Sequence, residues 1–495
     1  MLADLETIAA LPDPGQLAGL AHVLVVLPAA DALPPVCPDG AGLAASLARR
    51  GKGVEALRSG PLAATVGGGL RAWLMLDPGK PRFAQLTALR KAFALLLEEQ
   101  PAAIDVLIDG DSAFVALAAE LAAYVGLANG APLPTRKKKD APKALARLTL
   151  WGCGGRPETA VALAEASLVA RSLTALPPNV LTPGAYRDRL ADMADEMGWD
   201  SEEFDGQRLA GLGAGAFLAV VQGSSEDDAA IVRLSYEPAD AVETVALVGK
   251  GICFDSGGHN LKPAKYMAGM HEDMAGSAVV LGILLAATRL RLPLAIDAWL
   301  ALARNDISAA AYRQGDIVTA LDGTTIEVVH TDAEGRMVLA DALALAVRDD
   351  PDLVIDFATL TGSMVTALGT RYAGVLTEDA GLAMAAVAAG RLAGERVCAF
   401  PMDDDYESEL ESKVADVKQC TLDGEADHIL AARFLKRFVG DLPWLHVDLA
   451  AAACKGGLGA IGSDQTGFGV AWGLKFLTER LQSRNRAIPG SNPAT

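Results

Sequence analysis

The chain has 495 residues, with 62 acidic against 43 basic side chains and a formal net charge of −19. A single hydrophobic core stops growing at roughly 250–300 residues, so this length points to two domains. The composition, 51% hydrophobic and 21% charged, excludes disordered, collagen-like and disulfide-scaffold classes, and the acidic balance argues against bulk attraction to nucleic acid or anionic membrane.

The opening MLADLETIAALPDPG places Asp4 and Glu6 where a secretory signal would need cations. Strand-like Ala21 to Leu27 and helix-like Gln85 to Glu98 belong to a smaller N-terminal α/β domain, residues 1–155. The basic run Arg136 to Lys139 reads as a solvated loop rather than a nucleic-acid patch. After strand-like Leu148 to Trp151, a helix over 156–176, with Pro157 in its first turn, is expected to connect the domains. Residues 177–482 form the larger domain, opening on an extended PPNVLTP segment. Within it, strands at Val242–Val248, Leu294–Ala301, Ile326–His330 and Leu353–Ala358 alternate with helices at Ala275–Arg289 and Gly335–Val347. Such alternation predicts an α/β fold in which a central mixed sheet is flanked by helices. The polar stretch 483–495 reads as a flexible tail. The most apolar run, Ala278 to Ala287, is about half a membrane-spanning length and ends at Arg289 and Arg291, so no membrane partner is expected. The six scattered cysteines form no CxxC pair and read as reduced thiols, which suits a cytoplasmic protein.

Chemistry concentrates in two segments that follow predicted strands, where loops of an α/β sheet present side chains. The first runs from Lys250 through Asp255, Gly257, Gly258 and Lys262 to Asp273, and the second reads His330-Thr331-Asp332-Ala333-Glu334-Gly335-Arg336. Four carboxylates gathered in one partly buried site repel unless something positive sits among them, and a pair of divalent metals meets that need with oxygen-rich ligands. Gly257 and Gly258 allow the backbone to approach closely. Lys250 can serve as an amine ligand once nearby dications displace its proton. Lys262 can remain charged and polarise a carbonyl or oxyanion. Arg336, at a helix start, can hold a planar anion in its fork of donors.

The stretches VGKGICFDSGGHNLKP, MHEDMAGSAVVLG, VVHTDAEGRMVLADALALA and DFATLTG, with PPNVLTP and QTGFGV, resemble the leucyl aminopeptidase family of two-metal exopeptidases over most of residues 170–480. The resemblance implies a tight metal site from Lys250, Asp255, Asp273 and Glu334, and a looser one from Asp255, Asp332 and Glu334. It further implies that Lys262 stabilises the gem-diolate and that Arg336 holds a bicarbonate general base. Met270, Thr359, Gly362 and Ala451 would line the pocket for the first side chain, with the Leu360 carbonyl near the substrate amine. The cofactors implied are two divalent ions, manganese, zinc or magnesium, and bicarbonate. The implied substrates are short peptides with a leucine-like first residue, and the implied assembly is a homohexamer.

This chain departs from the family pattern at His259-Asn260, His271-Glu272 and His330, which read as hydrogen-bonded wall residues. The acidic segment Asp423 to His428 reads as an exposed helix start. Cys253 reads as a packing residue and Asp341 as a buried, hydrogen-bonded acid. Gly456 to Gly462 lacks the strand and spaced acid of a dinucleotide loop, so no cofactor-binding site of that kind is expected. Competing readings are a two-metal phosphoesterase, which leaves the lysine ligand unexplained; a dipeptidase acting on cysteinylglycine; and a DNA-binding or regulatory role, opposed by the net charge.

Overall fold

The computed structural model describes residues 1–35 and 37–487. The chain divides into two compact units, one of residues 1–168 with 391–395 and 454–466, the other of residues 169–390 with 396–453 and 467 onward.

The first unit carries a sheet of six strands: β1 (Asp4–Ile8), β2 (His22–Pro28), β3 (Leu62–Val66), β4 (Gly69–Leu76), β5 (Ala103–Ile108) and β6 (Arg147–Trp151). Their order is β1-β6-β5-β2-β4-β3, parallel except for the antiparallel edge β3. Val23 to Leu27 are all buried because helices cover both faces of a central parallel strand. Helices Arg82–Leu97 and Ser112–Gly130 pack Leu89, Phe93, Leu121 and Val125 on one face, and Leu43, Leu47 and Leu57 cover the other. Arg136 to Lys139 are exposed and lie outside any helix or strand.

The second unit is built on eight strands: β7 (Asp200–Asp205), β8 (Ala230–Tyr236), β9 (Thr244–Asp255), β10 (Ala295–Asn305), β13 (Leu353–Ala358), β14 (Ala373–Leu376), β15 (Val397–Ala399) and β17 (Trp444–Asp448). The order is β15-β14-β17-β13-β9-β10-β8-β7. β17, β13, β9 and β10 run parallel, whereas β14, β8 and β7 introduce antiparallel pairs, so the sheet is mixed as expected. A separate small sheet joins β11 (Ile317–Thr319), β12 (Thr325–Glu327) and β16 (Val417–Lys418). Helices Ala275–Arg289 and Glu334–Ala346 are buried along their length, including faces that in a shorter protein would meet water. Ser112–Gly130 and Met270–Arg289 have the length and hydropathy of membrane spans, but 67% and 83% of them are buried inside the protein.

Five local expectations change. The strand at Val242–Val248 extends to Asp255, since pairing with β10 along its length, and with β13 as far as Gly249, overrides the weak strand propensity of Gly249 and Gly251. Lys250 therefore lies inside a central strand, not in a loop. The strand expected over Ile326–His330 is only β12, in the small sheet, so the second motif is a loop from that sheet into a helix. The PPNVLTP segment is a hydrogen-bonded turn, with Val180 and Leu181 N–H donating to Pro177 O, and Thr182 then caps the helix Pro183–Met197. The helix expected over 156–176 spans Glu158–Thr174, and the last helix runs Val470–Ala487, into the segment read as a tail; residues 488–495 lie outside the described residues.

Beneath the strand ends, His446 of β17 and Asp356 of β13 form a fully buried pair, Nδ1 to Oδ1 at 2.6 Å, with Trp444 Nε1 donating to the other carboxylate oxygen at 2.8 Å. Burial acts to lower the imidazole pKa, but the Asp356 carboxylate outweighs it and the net shift is upward. A raised folded pKa contributes stability that is complete below the unfolded value of about 6.5 and is lost as pH rises through the folded value. The wild-type advantage over His446→Gln, measured from urea midpoints, is expected to be largest near pH 6, at about 3 kcal/mol, and to shrink by pH 9. A difference that stays constant with pH would show that His446 is not charged in the fold.

Candidate metal centre

Side chains alternate along a strand, and Ala246, Val248 and Ile252 of β9 share a buried cluster with Met337 to Ala346. Lys250 therefore projects toward the start of the helix Glu334–Ala346. Its Nζ lies 2.9 Å from Glu334 Oε1 and 2.8 Å from Asp273 Oδ2, and it donates to the Thr359 carbonyl at 3.1 Å. Gly335 makes this reach possible: a Cβ there would sit 2.6 Å from Lys250 Cε and 2.7 Å from Nζ. Asp255, the last residue of β9, accepts Lys262 Nζ at 2.7 Å, and the same ammonium lies 2.6 Å from Asp332 Oδ1. One acid oxygen from each of Asp255, Asp273 and Glu334 falls within 4.8 Å of the others. All seven charged residues singled out in the two motifs line one cavity of about 850 Å³.

The two motif loops are stitched together by residues that carry no charge. Thr331 Oγ1 donates to Gly257 O at 2.6 Å and accepts Asn260 N–H, while Thr331 N–H donates to Asn260 Oδ1. Gly257, at φ +87°, leaves no room for a side chain, because a Cβ would meet Asn260 O at 2.6 Å and Asp332 Oδ1 at 2.8 Å. Asn305, at the end of β10 and fully buried, donates Nδ2 to Asp255 Oδ1 and to Thr331 O. Tyr312 donates to the same carbonyl at 2.6 Å, and Thr359 Oγ1 donates to Asp273 Oδ1 at 2.6 Å. Asn305 was missed in the sequence reading. Its signal is a polar residue at the end of a strand whose stretch Ala298–Ala303 is apolar.

Electrostatically the cluster sets four carboxylates against two ammonium groups, a surplus of two negative charges. Burial and the neighbouring carboxylates push Asp273 and Asp332 up to about 7, even though a lysine faces each. For both lysines burial alone would favour the neutral amine, but the carboxylates outweigh it and hold them above the usual range. Among the described residues, Glu334 Oε2 is buried without a hydrogen-bond partner. Oxygen-rich donors, surplus negative charge and an unsatisfied buried carboxylate oxygen fit divalent cations. The residues that would hold them are Lys250, Asp255, Asp273, Asp332 and Glu334.

The other expected residues divide. Met270, Thr359, Leu360 and Gly362 line the cavity, but Ala451 is fully buried and lies outside the lining, which Ala450 and Ala452 supply instead. The Thr359 carbonyl accepts from Lys250 Nζ, and Leu360 N–H donates to Asp448 Oδ1. His330 lines the wall, its Nδ1 accepting Asp332 N–H at 3.2 Å, whereas His259 is exposed and His271 lies outside the lining. Cys253 is buried and burial pushes its thiol upward, as befits packing. Asp341 is buried, accepts Phe217 and Leu321 N–H, and stands outside the metal cluster. Arg336 is buried, donating Nη1 to Gln419 O and Nη2 to Asp427 Oδ1, both at 2.8 Å. Asp427 opens the helix Asp427–Lys436 and is partly covered, not exposed as the acidic run suggested.

Residues 168–472 match the model of the cytosol aminopeptidase family, catalytic domain. The chain belongs to this family. Proteins named "Probable cytosol aminopeptidase" from Syntrophotalea carbinolica and Chlorobaculum tepidum are each 40% identical to it, over 70% and 69% of this chain and 71% and 69% of their own lengths. Among solved structures, the bottromycin maturation enzyme BotP in complex with Mn matches at a TM-score of 0.81 and 33% identity, covering 93% of this chain and 100% of that one. A mutant of tomato leucine aminopeptidase matches at 0.84 and 26% identity, covering 97% of each. The protein is thus a metallo-aminopeptidase, a hydrolase of a divalent-metal-dependent family with a two-domain α/β architecture.

Gly335→Ala tests the geometry of the centre directly, because the added methyl meets only the flexible end of Lys250. Helix content is expected to hold, since alanine is the better helix former, while affinity for Mn falls at least ~10-fold in a chelator competition. Unchanged affinity would mean that Lys250 takes no part in binding.

Proposed function

We propose that the protein removes N-terminal residues, leucine-like ones preferred, from short peptides. The observation that carries this reading is a lysine amine buried among Asp273, Glu334 and the Thr359 carbonyl, an arrangement a phosphoesterase does not need. Lys250, Asp255, Asp273 and Glu334 would hold one ion, and Asp255, Asp332 and Glu334 a second. When bound, such a pair acts as a Lewis acid on the scissile carbonyl and lowers the pKa of water, with manganese or zinc the expected metals.

The chain's own groups do the rest. The acidic end of the cavity, around Asp273, selects a substrate that ends in an amine, which favours removal of one residue at a time. Met270, Thr359, Gly362 and Val365, together with Ala450, bound a partly apolar recess for its side chain. Lys262 is 14% exposed, charged and held between Asp255 and Asp332, from where its ammonium stabilises the developing oxyanion. Thr331, Asn260 and Asn305 keep the two loops in register, so the ligands are placed before substrate arrives. Gln419 and Asp427 engage the two terminal nitrogens of the Arg336 guanidinium, the group on which the family resemblance implies a bicarbonate. A cytoplasmic homohexamer remains part of the proposal through the family resemblance.

The test is turnover by the Mn-loaded protein of leucinamide, Cys-Gly and a phosphomonoester. Leucinamide is expected to be hydrolysed fastest and the phosphomonoester not at all; the reverse order would overturn the reading, and a strong Cys-Gly preference would replace it with the dipeptidase. Lys262→Ala should lower kcat by about 10²–10³-fold at unchanged metal content. Full activity in that variant would remove Lys262 from the mechanism.

A further inference from the structure

The geometry points to Asp427 as the proton-accepting carboxylate of this site, seated on Arg336 in the position where the family resemblance implies a diffusible bicarbonate. The inference rests on the aminopeptidase reading and deepens it. Arg336 follows the metal-cluster residue Glu334 by two positions in the first turn of the same helix, and its guanidinium is only 2% exposed. A cation so buried requires an anion, and the chain supplies one itself. Asp427 Oδ1 accepts Nη2 at 2.8 Å and Gln419 O accepts Nη1 at 2.8 Å, so both terminal nitrogens of the fork are engaged by protein atoms.

Asp427 is placed for more than pairing. Its side chain keeps 23% of its surface open and lines the same cavity as Lys262, Asp332 and Glu334. His330, whose Nδ1 accepts the N–H of Asp332, lines the same cavity as Asp427, Arg336 and Lys262. The preceding residue, Ala426, adopts φ +50°, a left-handed conformation unfavourable for a non-glycine residue, and this turn delivers Asp427 to the first position of its helix. Negative charge is favoured there by the free N–H groups. Of the six other carboxylates that line the cavity, four face the two lysines, Asp448 is engaged by Leu360 N–H and the Thr361 hydroxyl, and Glu272 sits in the short helical turn just before Asp273. In the step proposed, the water oxygen bonds to the substrate carbonyl carbon and one water proton passes to Asp427. The C–N bond then breaks and that proton goes to the departing amine nitrogen, so one water is consumed and the carboxylate is regenerated.

The experiment uses the Mn-loaded full chain in bicarbonate-free buffer and again with added bicarbonate, reading leucinamide turnover and thermal midpoint. Wild type is expected to respond to bicarbonate in neither. Asp427→Ala should lose about 10²-fold in kcat, recover at least ~10-fold with bicarbonate, and rise in thermal midpoint on adding it. Asp427→Asn, which preserves the shape of the pair, should fold normally and lose kcat without rescue, because the amide still fills the seat. Full kcat in Asp427→Asn, or wild-type turnover that depends on bicarbonate, overturns the assignment. Equal stabilisation of wild type and Asp427→Ala by bicarbonate overturns the seat assignment whatever the activity, whereas failure to hydrolyse any aminoacyl amide, under either condition, overturns the proposed function itself.

Discussion

Four acids share one buried pocket with two lysines, and most of the surrounding architecture follows from keeping that arrangement intact. Two like charges about 4 Å apart repel by roughly 4 kcal/mol at the effective dielectric typical of proteins, so each carboxylate must be held by positive charge and by directed hydrogen bonds. Lys250 answers Asp273 and Glu334, and Lys262 answers Asp255 and Asp332. The lysines do not neutralise the set. The remaining negative charge, with the unsatisfied oxygen of Glu334, is what makes the pocket a receptor for divalent cations instead of a closed salt-bridge network.

Holding such a cluster requires rigid supports, and the fold supplies them at several levels. Lys250 is anchored inside a central strand paired on both sides, Asp255 closes that strand, and Glu334 opens a buried helix. The loops between are fixed by neutral partners, with Thr331 and Asn260 exchanging hydrogen bonds and Asn305 reaching Asp255 from the neighbouring strand. These contacts orient the carboxylates without adding charge to an already strained balance. Arg336, buried, and Asp427, partly covered, form a separate, self-neutralising pair, so cation and anion there come from the same chain.

The charged residues of both motifs were legible in the sequence because residue type and spacing constrain metal chemistry strongly. Acids and lysines at strand ends have few other uses when four carboxylates must converge. The larger strands and helices were legible for a similar reason, since near-continuous apolar runs mark buried parallel strands. Less legible were elements whose state depends on distant partners. β9 runs on through Gly249 and Gly251 because β10 stays paired with it beyond the point where β13 ends, and β12 is short because its neighbours are two small strands outside the main sheet. Ala451 was placed in the pocket by resemblance, and the local turn buries it instead.

By itself the sequence determined the α/β class, the two-unit scale and the inventory of ligand types, because hydrophobic period and side-chain chemistry are local properties. Only the tertiary structure decided which acid faces which lysine, that the Thr359 carbonyl reaches Lys250, and that Asp427 sits on Arg336 ninety-one positions away in the chain. Pairings of that kind depend on where separate loops come to rest. A buried charge takes the nearest counter-charge in space, and nothing in residue order says which one that will be.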